Sequence, residues 1–158
     1  MDSYTSTKGY DFNDETSRII QACVEVHKNL GPGFQEVTYQ RALALELQVL
    51  GLDFSREVKI PVYYKGREID KRRVDFVVEE CMVEIKAKRE FDDADYIQTL
   101  SYLKASGFQL GLLVNFGAKK IEVRRLVNAN REKYLDREKN ERNEKREATP
   151  PSPPGEGQ

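Results

Sequence analysis

Cysteine and histidine are scarce in this chain: two and one, among 158 residues. Cys23 and Cys81 lie in apolar contexts at no metal-ligand spacing, which predicts reduced, buried thiols. Net charge is almost absent too, with 26 Lys and Arg against 27 Asp and Glu, a formal −1. That balance excludes capture of nucleic acid or membrane by bulk charge, so any such partner has to be held by a local patch. Long apolar runs are missing, and none approaches the roughly 20 residues that span a bilayer. The opening residues, "MDSYTSTKGYDFND", contain no apolar stretch of the kind a secretory signal needs. Together these absences predict a cytoplasmic protein with no membrane partner.

What is present is a soluble body, 39% hydrophobic and 34% charged, long enough for one domain with a real core. Residues 1–12 are polar and predict disorder. "NDETSRIIQACVEVHKNLGPG" predicts a helix capped at Asn13 or Asp14, with Ile19, Ile20, Cys23, Val24 and Leu30 on its apolar face. A second helix is expected over 35–50. The strand "REVKIPVYYKG" follows, its Pro61 suggesting an edge or a bulge. "REIDKRRVDFVV" and "MVEIKA" supply two more strands. A helix over 91–106 has Ile97, Leu100 and Leu103 as its expected core face. "QLGLLVNFG" and "KIEVRRLV" close the order α-α-β-β-β-α-β-β, a mixed β-sheet with flanking helices in the α/β class. Residues 13–127 form the expected domain, and 128–158 a charged, Pro-ended tail, partly helical and largely disordered.

The stretch "VDFVVEECMVEIKAK" sets acids among strand residues. Alternation puts Glu84, Lys86 and Lys88 on one strand face and Val83, Ile85 and Ala87 on the other. A turn centred on Glu79–Glu80 places Asp75 directly opposite Glu84. Like charges so paired, with Cβ atoms about 5 Å apart, repel. A divalent cation offsets that repulsion, and two carboxylates from adjacent strands suit magnesium or manganese. Lys86, one pleat along, could stabilise charge developing on a phosphate. The competing reading is a solvated strand face carrying a chance Glu–Lys pair.

Two further rows bear on the choice. Gln98 and Tyr102 share a helix face at i, i+4, at the border of the core, where they could reach a phosphate or Lys86. Glu36, Gln40, Leu43 and Leu47 form one stripe of the second helix, so an acid heads a core-facing row. Glu36 read alone is a first-turn acid complementing the helix dipole. His27, in the last turn of the first helix, reads as a dipole-complementing or packing residue. Lys65, Arg67, Lys71, Arg72 and Arg73, with Lys88 and Arg89 beyond the third strand, form a basic cluster able to contact phosphates. Tyr63, Tyr64 and Tyr102 could stack on bases, although strand tyrosines more often pack.

Asp75, eight residues, then Glu84-Ile85-Lys86 resembles the signature of the PD-(D/E)XK nuclease superfamily. "GFQEVTY", residues 33–39, resembles the G-x-x-E-x-x-Y pattern of the GxxExxY protein family, and "QTLSY", residues 98–102, the Q-x-x-x-Y motif of the exonuclease-like branch. Val74 stands where the superfamily often has proline. The resemblance spans about residues 14–127 and implies a restriction-endonuclease-like core. It also implies that Asp75, Glu84, the Ile85 carbonyl and Glu36 ligate Mg2+ or Mn2+, with His27 a secondary candidate ligand from an upstream helix, Lys86 catalytic, and Gln98 and Tyr102 positioning the phosphate or bracing Lys86. The expected activity is metal-dependent hydrolysis of DNA. The rival is a catalytically silent nucleic-acid-binding or protein-interaction module on the same fold. A protein partner supplying specificity, or a homo-oligomer, is compatible with either.

Overall fold

A computed structural model of the chain describes residues 15–129 and 142–148. The expected N-terminal disorder, the cap at Asn13 or Asp14, and most of the tail lie outside those residues; 142–147 are helical. The elements are α1 (Glu15–Leu30), α2 (Glu36–Val49), β1 (Phe54–Tyr64), β2 (Arg67–Val78), β3 (Cys81–Lys86), α3 (Asp93–Ser106), β4 (Leu110–Asn115) and β5 (Glu122–Val127). This is the expected order. The five strands form one sheet ordered β1-β2-β3-β4-β5. β1, β2 and β3 are an antiparallel meander; α3 then carries the chain over to β4, parallel to β3, and β5 returns antiparallel. Pro61 does lie on an edge strand, just before a register shift between Val62 and Tyr63. It removes no ladder donor from the interior of the sheet.

The parallel pair is central, and every residue from Cys81 to Ile85 and from Gly111 to Asn115 is buried. Strands covered on both faces read as continuous apolar runs, which is why "LGLLV" does not alternate. The larger core joins Ile19, Ile20, Cys23 and Val26 of α1 and Tyr39, Leu43 and Leu47 of α2 to Phe76, Val83, Ile85, Leu112 and Val114. The smaller core lies under α3 and holds Ile60, Val74, Met82, Leu103 and Leu126. Both cysteines are buried thiols, as expected, and burial pushes the Cys23 thiol up to about 12. Among the described residues no helix is long and apolar enough to cross a membrane.

Two expected core faces are corrected. On α1, Val24 is exposed, and Ala22 and Val26 are buried instead. On α3, Ile97 is 61% exposed, and the buried row is Asp95, Thr99 and Leu103. The rotation of α3 is set at its N-terminus. Asp92 caps the helix and exchanges hydrogen bonds with Asp95 in a capping box, and Lys88 reaches Asp95 at 2.8 Å. The pairing with Lys88 offsets the cost of burying the Asp95 carboxylate.

The end of β3 is clamped to the β4–β5 side of the sheet. Asn115, fully buried, accepts the N–H groups of Lys88 and Gly117 and donates to the carbonyl of Lys88 and to Glu122. Gly117 permits that close approach, because a Cβ there would lie 2.4 Å from the Lys88 nitrogen and 2.5 Å from the Ala87 carbonyl carbon. Both neighbours are backbone and cannot swing aside. Gly117→Ala is therefore expected to destabilise the domain by about 1–3 kcal/mol or more. Chemical denaturation of the two proteins measures it, and an unchanged midpoint would refute the clamp.

Candidate active site

The β2–β3 register is the one the turn dictates: Val78 faces Cys81, Val77 faces Met82 and Phe76 faces Val83. The next pair is Asp75 and Glu84, and here the backbone ladder ends. Side chains take over its donors. Asp75 N–H donates to Glu84 Oε1 at 2.9 Å, and Ile85 N–H donates to Asp75 Oδ2 at 2.8 Å. Each acid therefore holds the other's strand at the point where the strands part.

The parting has a counterpart on the other side of β2. Phe54, Phe76 and Val78 belong to the larger core, whereas Val58, Ile60 and Val74 lie under α3. A strict two-residue period would keep all six on one face. The alternation breaks at Glu57, which adopts a left-handed backbone (φ 52°) between the pairs Arg56–Phe76 and Val58–Val74. The kink lines up Glu57, Asp75 and Glu84 across three adjacent strands.

Burial pushes the Asp75 carboxyl above the usual carboxylate range, opposed by the hydrogen bond from Ile85 and reinforced by the charge of Glu36. Burial, and then the charge of Asp75, push Glu84 up to about 8. Glu84 is only 5% exposed, which makes desolvation the leading cause. Glu36 acts on both acids although its own side chain is exposed at the first turn of α2. Among the described residues, no three His, Cys, Asp or Glu side chains are gathered tightly enough to enclose a metal ion.

The other expected residues divide. Lys86 is half-buried, its Nζ 3.5 Å from Gln98 Oε1 and 4.0 Å from Asp95. It also lowers both raised carboxylates, so its charge is felt at the pair. Gln98 thus reaches Lys86, whereas Tyr102 packs against the smaller core. Ile85 gives its N–H to Asp75 and buries its side chain in the larger core. His27 points elsewhere: its Nε2 donates to the Ala118 carbonyl at 2.9 Å. Of the basic residues, Lys88 is committed to Asp95 and Asp92, whose hydrogen bonds raise its pKa. Arg72 pairs with Asp70 and Arg73 with Glu57, while Lys65 lies over the Tyr64 ring. Arg67 and Arg89 are exposed.

Three contributors escaped the sequence reading. Gln40 donates to Asp75 Oδ1 at 3.0 Å, and its signal was its place one turn after Glu36. Asp95 underlies both lysines, signalled only by its spacing from Gln98. Tyr39, the last residue of the G-x-x-E-x-x-Y stretch, is buried, stacks on Phe116 at 4.9 Å, donates to the Gly31 carbonyl and accepts from Phe34 N–H. It fixes the loop before α2 and hence the start of the helix that presents Glu36.

A mixed five-stranded sheet with helices on both faces and this carboxylate pair at its heart is consistent with the restriction-endonuclease-like class of fold. The family model of the PD-(D/E)XK nuclease superfamily matches residues 13–126, and the chain belongs to that superfamily. Its nucleases typically use divalent metal ions. Among solved structures, one described as "Crystal structure of SSO0001" is similar over 84% of this chain and 87% of its own, at 16% identity and a TM-score of 0.40, a likeness too loose to bear on function. No curated protein matches the chain.

Glu84 supplies a pH signature. Its folded pKa lies above its unfolded value near 4.5, so between about pH 4.5 and 8 the folded state holds more protons than the unfolded one. Stability of the metal-free protein should therefore fall as pH rises through that window. Glu84→Gln should flatten the decline, and melting temperatures from pH 5 to 8.5 would check both.

Proposed function

We propose that the chain is a metal-dependent nuclease hydrolysing DNA phosphodiester bonds, of the GxxExxY kind within its superfamily. The observation that carries this reading is the desolvated pair Asp75–Glu84, both acids raised by burial, with Lys86 beside it. Two buried acids this close favour a small cation. The donors are all oxygen, from Asp75, Glu84, the Ile85 carbonyl and Glu36, which suits magnesium or manganese. A bound ion would supply an activated water and neutralise charge on the phosphate.

The chain's own groups do the remainder. Lys86 offers an ammonium to a phosphate oxygen where negative charge develops, and Gln98 and Asp95 hold that ammonium in place. Gln40 fixes one oxygen of Asp75, leaving the carboxylate little freedom to turn. Arg67 and Arg89, both exposed, are free to meet flanking phosphates.

Cleavage of labelled DNA with magnesium, and its loss in EDTA, tests the proposal. Asp75→Asn should abolish both cleavage and the rise in melting temperature that magnesium gives the wild type, since a ligand stabilises only the state it binds. Equal magnesium shifts in the two proteins would remove the metal from this site. Lys86→Ala should keep the magnesium shift and lose ~10²-fold or more in cleavage, the scale for one donor deleted from a preorganised site. Metal-independent DNA binding without cleavage would instead favour the silent binding module.

A further inference from the structure

β1 and β2 have 11 and 12 residues, whereas β3, β4 and β5 have six each. β3 pairs only with Phe76–Val78 of β2. From Val58 and Val74 outward, β1 and β2 are thus a two-stranded ribbon that no third strand flanks. Val58, Ile60 and Val74 root it under α3, and every residue from Tyr64 to Arg73 is exposed. At 3.3 Å per residue the ribbon reaches about 20 Å beyond the kink. That kink is the Glu57–Asp75 position, so the ribbon begins at the carboxylate pair.

Its charge departs from that of the chain. Between residues 57 and 73 stand six cations, Lys59, Lys65, Arg67, Lys71, Arg72 and Arg73, against the three acids Glu57, Glu68 and Asp70, in a chain whose net charge is −1. The register sorts the cations. Lys59 faces Arg73 and Pro61 faces Lys71, which puts Lys59, Lys71 and Arg73 on one face. Ile60 faces Arg72 and Tyr64 faces Arg67, which puts Arg67 and Arg72 on the other. The ion pairs on the ribbon join exposed partners at 3.1–3.7 Å. Exposed pairs of this kind exchange readily for a phosphate. Lys59 and Arg67 have no ion pair among the described residues.

We propose that this ribbon is a docking arm for double-stranded nucleic acid, lying in a groove between two phosphate rails. The proposal rests on the nuclease reading and names the substrate class. A major groove about 12 Å wide admits a two-stranded ribbon. Cations on both faces match phosphates on both sides, whereas a single strand offers one line of phosphates and would engage one face. Because the arm is rooted at Asp75, a duplex seated on it runs past the carboxylate pair.

The test uses the full chain in EDTA, with fluorescence anisotropy on a short labelled duplex and on one of its single strands at several salt concentrations. One variant neutralises the first face (Lys59→Gln with Lys71→Gln), another the second (Arg67→Gln with Arg72→Gln). All four positions are exposed, so melting temperatures should not move. For the duplex, both variants should make the plot of log affinity against log salt shallower, by about 0.9 for each phosphate no longer neutralised. For the single strand, only one variant should do so. An unchanged duplex slope in either variant, or equal weakening on both probes, overturns the arm. Wild-type cleavage of the same duplex in magnesium separates the two claims. Cleavage with arm-independent binding rejects the arm alone, and arm-dependent binding without cleavage rejects the nuclease reading alone.

Discussion

The structure turns on two carboxylates that replace a rung of the sheet. At Asp75 and Glu84 the β2–β3 ladder gives way to side-chain acceptors, each holding a backbone N–H of the other's neighbourhood. Those bonds offset part of the cost of burying two like charges and do not remove it. Burial therefore still raises both acids, and the charge of Asp75 adds to the rise of Glu84. The fold thereby holds two acidic groups rigidly at one point, reluctant to ionise together, with a lysine at their edge. Everything near it either supports that arrangement or is displaced by it: the kink at Glu57, the amide of Gln40, and the ribbon of β1 and β2 that leaves the sheet beyond the pair.

The supports come from far apart in sequence. Tyr39 ties α2 to the Gly31 loop and to Phe116, which sets where Glu36 and Gln40 stand. Asn115 and Gly117 clamp the chain just after Lys86. Asp95 pins Lys88 and faces Lys86 from the first turn of α3. None of these groups belongs to the carboxylate pair, yet each limits how far its neighbours can relax. A site whose charge is not matched by solvent needs such limits, because relaxation into water would dissipate the field that makes it useful.

The arrangement carries a stability cost. The pair is least comfortable when both acids are ionised, so the conditions in which a cation would be bound most readily are those in which the metal-free fold is weakest. Central strands buried on both faces and two cores sharing one sheet give the domain the reserve to tolerate this. The ion pairs along the ribbon add little to that reserve, since they lie in water. Their residues are correspondingly free for contacts outside the chain.

Local pattern by itself determined the element order, the register of β2 on β3, the opposition of Asp75 and Glu84, and the faces of Val83, Ile85 and Lys86. Each follows from short-range periodicity and turn geometry, which neighbouring residues specify. Tertiary structure alone decided the rest. Ile97 is outside and Asp95 inside because Lys88, in the connection between β3 and α3, pairs with Asp95 and fixes the rotation of α3. His27 turned to the Ala118 carbonyl, a partner 91 residues away that no periodicity announces. Lys88 went to two aspartates because the Asn115 clamp brings the end of β3 against the cap of α3. The parting of the strands at Asp75 was invisible too, since it depends on the left-handed backbone of Glu57 on a third strand. Spacing says which residues share a face; only the packed fold says which groups are near enough to compete for one another's charge and hydrogen bonds.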